Sequence, residues 1–244
     1  EVSTMSGLKD QKFCRRDFIK NTVSAGIGAF VITGFVTKGF SESTREQLDP
    51  QKNKITPKIQ DVNSEPPVKI PDIRIRMNHL DAFLVGVSSS EVIEISLQDV
   101  LKFHGYCAAG VTLAFREAQE AFRVLYGNKL PDRQGIKVQT SYHCCQAGVL
   151  AYITGARTDF GALVSRGDLI LIPEEMKKVV FTDKKTGKSV TLLPKVDPHA
   201  MFVPLFRKVR QDNSIAPQVQ KLLNDTVQDY VTSPPEKLFE IQYG

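Results

Sequence analysis

Beyond about residue 67, this 244-residue sequence predicts an α+β domain, and three observations carry that prediction. Strand-like and helix-like stretches alternate irregularly. Residues 178–182 and 189–193 flank DKKTGK, where Gly187 supplies the turn of a β-hairpin. Val111, Ala114, Phe115, Ala118, Ala121, Phe122 and Leu125 recur at helical spacing, the stripe of a helix with one buried face. An irregular order containing a hairpin argues against a doubly wound sheet, so one mixed or antiparallel sheet packed by helices is expected.

Each element has a local signal. Residues 73–77 and 92–95 cluster β-formers and read as strands. Ser96, with Asp99 three positions on, starts a short helix over 97–103 through a capping box. The long stripe ends at Gly127, where a C-terminal cap belongs. A loop at 131–135 leads to a strand at 136–140, then to SYHCCQ at 141–146 and a helix over 146–154 closed by Gly155. Residues 169–172 read as a buried strand, and a last helix over 216–230 carries Val219, Leu222, Leu223, Val227 and Tyr230 on one side.

The first 41 residues have a different character. CRRDFIK, from Cys14 to Lys20, pairs Arg15 with Arg16 ahead of Phe18 and closely resembles the twin-arginine export consensus. The apolar run at 23–36 is diluted by Gly26, Gly28 and Gly34 and falls short of the roughly 20 apolar residues that span a bilayer. Residues 36–43 offer no AxA cleavage site, so a retained, membrane-tethering segment stays open as an alternative. Residues 42–67 are polar, contain Pro50, Pro57, Pro66 and Pro67, and read as a flexible linker. The expected organisation is therefore signal (1–41), linker (42–67) and α+β domain (68–244), delivered by the twin-arginine translocase to a periplasmic or other extracytoplasmic location.

Charge excludes one class of partner. The net charge is +5, but residues 1–41 hold Lys9, Lys12, Arg15, Arg16, Lys20 and Lys38 against Glu1, Asp10 and Asp17. Little basic excess is left for the domain, and nucleic-acid binding needs a concentrated basic surface.

Most of the chemistry is gathered in two segments. Phe103-His104-Gly105-Tyr106-Cys107 precedes the long helix, and Tyr142-His143-Cys144-Cys145 precedes the next. At a helix start, free N–H groups and the helix dipole favour a thiolate as ligand or nucleophile. Imidazole and thiolate together suit zinc or another borderline-soft transition metal. Only three cysteines follow the signal segment, an odd number that argues against a disulfide scaffold. His79 and His199 stand apart from both segments and are expected to be structural or surface residues.

FHGYCAAGVTLAFR at 103–116 resembles the FHGHxCPGxxxGYR stretch of the FmdE family, named for a component of formylmethanofuran dehydrogenase. SYHCCQAGVLAYITGARTDFG at 141–161 resembles that family's DxCGxDAIQxxTGCTxGK, and PPEKLFEIQ resembles its closing segment, so the likeness covers roughly residues 95–242. The resemblance implies an FmdE-like α+β core with a cleft for a metal or active site, commonly in a homodimer. It keeps His104 and matches Cys145, while Ala108, His143, Gly148, Ala156 and Phe160 replace the family's Cys, Asp, Asp, Cys and Lys. No cysteine follows Cys145, so the treble-clef finger of some relatives is absent.

Two functions are expected to compete. In the first, His104 and Cys145 hold a transition metal, zinc foremost, with Cys107, His143 or Cys144 completing the shell. In the second, a metal-free thiol-redox or small-ligand-binding protein uses Cys107 with Cys144 or Cys145. The export reading has a direct consequence: changing Arg15 and Arg16 together to Lys should leave precursor in the cytoplasm on cell fractionation. Unchanged delivery in a strain without twin-arginine transport would refute that route.

Overall fold

The computed structural model describes residues 65–105, 107–173 and 178–244; the export segment and most of the linker lie outside the described residues. The described chain opens with β1 (Arg74–Asn78), a short helix α1 (Leu80–Leu84) and β2 (Val92–Ser96). β1 and β2 pair antiparallel, with Arg74 opposite Ser96 and Asn78 opposite Val92. Helix α2 (Leu97–His104) follows, held at its start by the capping box: Ser96 Oγ accepts from the Asp99 N–H at 3.1 Å, and Asp99 Oδ2 accepts from the Ser96 N–H at 3.0 Å.

The long helix α3 (Ala108–Tyr126) is the core element, with Val111, Ala114, Phe115, Ala118 and Ala121 fully buried. The remaining elements are β3 (Ile136–Ser141), α4 (Cys144–Thr154), β4 (Leu169–Ile172), β5 (Val179–Asp183), β6 (Ser189–Pro194), α5 (Pro198–Gln211), α6 (Ala216–Thr232), α7 (Pro235–Leu238) and β7 (Phe239–Tyr243). Five strands form a mixed sheet in the order β4-β3-β5-β6-β7. β3 and β4 run parallel, linked by a crossover containing α4, and the other pairings are antiparallel. The α+β architecture with a mixed sheet is the one the sequence predicts.

Alternation along the strands decides which face is covered. Val138, Phe181 and Val190 stand opposite one another on one face of the sheet and are buried. Helices α3 and α4 pack on the sheet, α3 against β6 and β5, α4 against β3 and β4, and α6 packs against α3. The two-layer packing puts the starts of α3 and α4 side by side.

Three local expectations need correction. Helix α4 begins at Cys144, not Gln146, so both vicinal cysteines belong to its first turn. Helix α5 was not anticipated, because Pro204 interrupts its pattern and charged residues crowd its end; its start was marked by Asp197-Pro198, a cap followed by proline at the first helical position. The chain also ends in a strand that extends the sheet at β6. No described helix is long and apolar enough to cross a membrane.

Because Phe115 is fully buried between these layers, Phe115→Ala should cost about 3–5 kcal/mol by urea unfolding. Lys188→Ala, on the exposed hairpin tip, should stay within about 0.5 kcal/mol of the parent.

Candidate metal centre

Local backbone preferences bring the two chemistry-bearing segments to one place. α2 ends at His104, and Gly105 takes the left-handed conformation (φ 70°) that turns the chain out of the helix. Cys107 follows at φ 55°, the one described non-glycine residue with positive φ, and is the N-cap of α3. A side chain in that region costs on the order of 1 kcal/mol or more, a cost that concentrates at functional sites. Across the groove, β3 delivers the chain to His143, the N-cap of α4, which makes no side-chain cap hydrogen bond.

His104, Cys144 and Cys145 each present a ligand atom, and the three atoms lie within 4.8 Å of one another. The Cys144 and Cys145 Sγ atoms are 4.0 Å apart. Two sulfurs bound at about 2.3 Å to one tetrahedral zinc ion stand about 3.8 Å apart, so this spacing fits a shared ion. His104 Nδ1 is buried with no hydrogen-bond partner, as expected of an atom reserved for a ligand. Cys107 and His143 lie outside this mutually close set, which revises the expected five-residue shell.

Cys107 and Cys145 form a second relationship. An added β-carbon at Gly110 would lie 2.8 Å from Cys145 Sγ and 3.1 Å from Cys107 Sγ, so both sulfurs crowd the bare face of that glycine. The hydrogen bond with Cys145 is the main force holding the Cys107 thiol down to about 7, against the opposing effect of burial. Cys107 makes no full side-chain cap hydrogen bond, yet the Gly110 N–H adds to the favouring of its thiolate. Cys145 is correspondingly raised, first by sharing its proton with Cys107 and then by burial. All three cysteines are free thiols.

His199 is not the isolated residue its sequence position suggests. Its ring meets that of His143 edge-to-face, with centroids 4.5 Å apart. Asp197 Oδ1 accepts from the His199 and Ala200 N–H groups and caps α5. A cavity of about 320 Å³ lies beside the cysteines, its wall including Gly110, Leu113, His143, Cys145, Asp197 and His199. His79 lies outside the three-residue set; it precedes α1, and its N–H donates to Glu91 O.

With this geometry in view, comparison with known proteins decides the family. A family model described as "FmdE, Molybdenum formylmethanofuran dehydrogenase operon" matches residues 103–240, more than half of the chain. The chain belongs to the FmdE family. Among solved structures it is similar to an FmdE-like protein of tungsten formylmethanofuran dehydrogenase from Syntrophus aciditrophicus, at 18% identity over 62% of this chain and 72% of that chain, with a TM-score of 0.40. No curated protein matches.

The departures from the FmdE pattern now have places. Ala108 is the first residue of α3, and Ala156 is buried just beyond α4. Gly148 lies on α4, where an added β-carbon would reach only the Phe103 ring edge at 4.0 Å, and Phe160 is exposed. His143, in place of the family's Asp, faces His199.

Sequence reasoning also missed Glu117. It stands at 0% exposure on the buried stripe of α3 two turns from Gly110, and its Oε1 accepts from Gln146 Nε2 at 2.8 Å. Burial pushes its carboxyl up to about 8, and the Gln146 hydrogen bond opposes this only in part. A charged residue at a helical spacing otherwise occupied by Gly, Ala and Phe was the available signal.

The sign of the resulting pH dependence follows from linkage. The folded pKa of Glu117 is above its unfolded value, so its contribution to stability is intact below about pH 4.5 and is lost as pH rises towards 8. Glu117→Gln removes this titration. Its advantage over the parent should grow by about 1.4 kcal/mol per pH unit between pH 5 and 8 in denaturant melts. Parallel curves for the two proteins would show that Glu117 is not held neutral by the fold.

Proposed function

We propose that this FmdE-family protein is an exported metal-binding protein, with His104, Cys144 and Cys145 as ligands and zinc as the ion. The observation that carries the reading is the meeting of a buried, unpartnered imidazole nitrogen with two free sulfurs at ligand spacing. A bound zinc ion would supply Lewis acidity at the groove between α2, α3 and α4. The chain's own residues bind and shape: His104 is held at the capped end of α2, the cysteines sit at the dipole-positive start of α4, and Leu113 with Ala114 keeps one wall apolar. Twin-arginine export suits such a protein, since the folded chain can take its ion before crossing the membrane. Periplasmic delivery and a homodimer belong to this proposal, the first on the Arg15-Arg16 motif and the second on the family resemblance.

The contact of Cys107 and Cys145 over Gly110 supports a second reading. The pair would exchange with a disulfide acceptor, giving up two electrons and two protons to form one intramolecular disulfide and two acceptor thiols.

Elemental analysis of protein purified without chelator separates the two. About one zinc per chain is expected, and His104→Ala or Cys145→Ala should each lower occupancy by at least an order of magnitude, whereas His79→Ala should not. Metal-free protein whose Cys107 is disulfide-bonded on thiol titration would overturn the metal reading in favour of the redox one.

A further inference from the structure

The turn that carries Cys144 and Cys145 is anchored to the interior by a single line of hydrogen bonds. The His143 N–H donates to Ser141 Oγ at 3.3 Å, the Ser141 hydroxyl donates to Gln146 Oε1 at 3.4 Å, and Gln146 Nε2 donates to Glu117 Oε1 at 2.8 Å. Ser141, Gln146 and Glu117 are all buried. The far oxygen, Glu117 Oε2, is buried with no hydrogen-bond partner.

Packing alone calls for an apolar residue at this position. Glu117 continues the stripe of Gly110, Ala114 and Ala121, and a leucine there would spare the domain a buried carboxyl oxygen without a partner. What leucine lacks is an acceptor for the Gln146 amide. Gln146 directly follows Cys145 in the first turn of α4, so the direction in which its side chain is held also sets the rotation of that turn.

We infer that Glu117 is a positioning residue for the metal-ligand turn: acting through Gln146 and Ser141, it fixes the rotation at which the sulfurs of Cys144 and Cys145 meet His104. The inference rests on the metal reading above. It assigns to the α3 interior a function that neither the His/Cys segments nor the family motif carries.

Positioning and packing predict different outcomes for leucine. In the full chain, E117L should be as stable as the parent or more so, yet bind zinc about 10–100-fold more weakly in chelator competition, as loss of an outer-shell partner does. E117Q keeps the acceptor and should restore affinity to within about threefold. Q146L should weaken zinc as E117L does, and E117L/Q146L should be no weaker than either single variant, because both break one line. The Co²⁺-loaded E117L protein should also show a changed sulfur-to-metal absorption band. Zinc affinity of E117L within about threefold of the parent, or a loss that E117Q does not rescue, overturns the inference. If E117L fails to fold, Q146L decides alone: weak binding supports the inference and unchanged binding overturns it.

If the parent takes up neither zinc nor cobalt, the metal reading fails by itself. Iodoacetamide labelling of the exposed Cys144 in metal-free protein then decides. A rate changed at least about fivefold in E117L and restored in E117Q upholds the positioning role, and equal rates refute it.

Discussion

The candidate centre depends on the close approach of α3 and α4 at Gly110. With a β-carbon there, Cys145 Sγ would be met at 2.8 Å and Cys107 Sγ at 3.1 Å, so the sulfurs occupy space that only glycine leaves. The crossing is enforced from behind by the fully buried Phe115, Ala118, Val149 and Leu150, which hold the helices against the sheet. Small movements are resisted by a close-packed interior, so the sulfur positions inherit the rigidity of the core.

Several features near this crossing run against stability. Cys107 adopts a left-handed backbone, His104 Nδ1 is buried without a partner, and Glu117 is a carboxyl inside an apolar stripe. Each costs on the order of 1–3 kcal/mol in isolation, and the surrounding layers must offset all of them. Their clustering around two helix starts, while the rest of the core is conventionally apolar, is the pattern of a site whose geometry matters more than its contribution to folding.

The same arrangement separates two uses of one cysteine. Cys145 lies within ligand distance of His104 and Cys144 and also shares a proton with Cys107. A metal needs its sulfur as thiolate, whereas the proton shared with Cys107 keeps it neutral; the two states exclude each other at that atom. Occupancy of the centre and the chemistry of Cys107 are therefore coupled through Cys145.

Much of this was legible in the sequence because it is local. The α3 stripe, the Ser96-Asp99 box, the Gly105, Gly127 and Gly155 ends and the hairpin at Gly187 each depend on residues a few positions apart, and periodicity and capping report such preferences directly. The pairing of His with Cys at two helix starts was equally visible and pointed to the right region. What tertiary structure alone decided is which of those groups meet: His104 with Cys144 and Cys145, Cys107 with Cys145 over Gly110, His143 with His199, and Gln146 with Glu117. None of these contacts follows from spacing along the chain, because each depends on how far one helix is rotated and displaced against another, and that is set by the complementarity of side-chain volumes across the core.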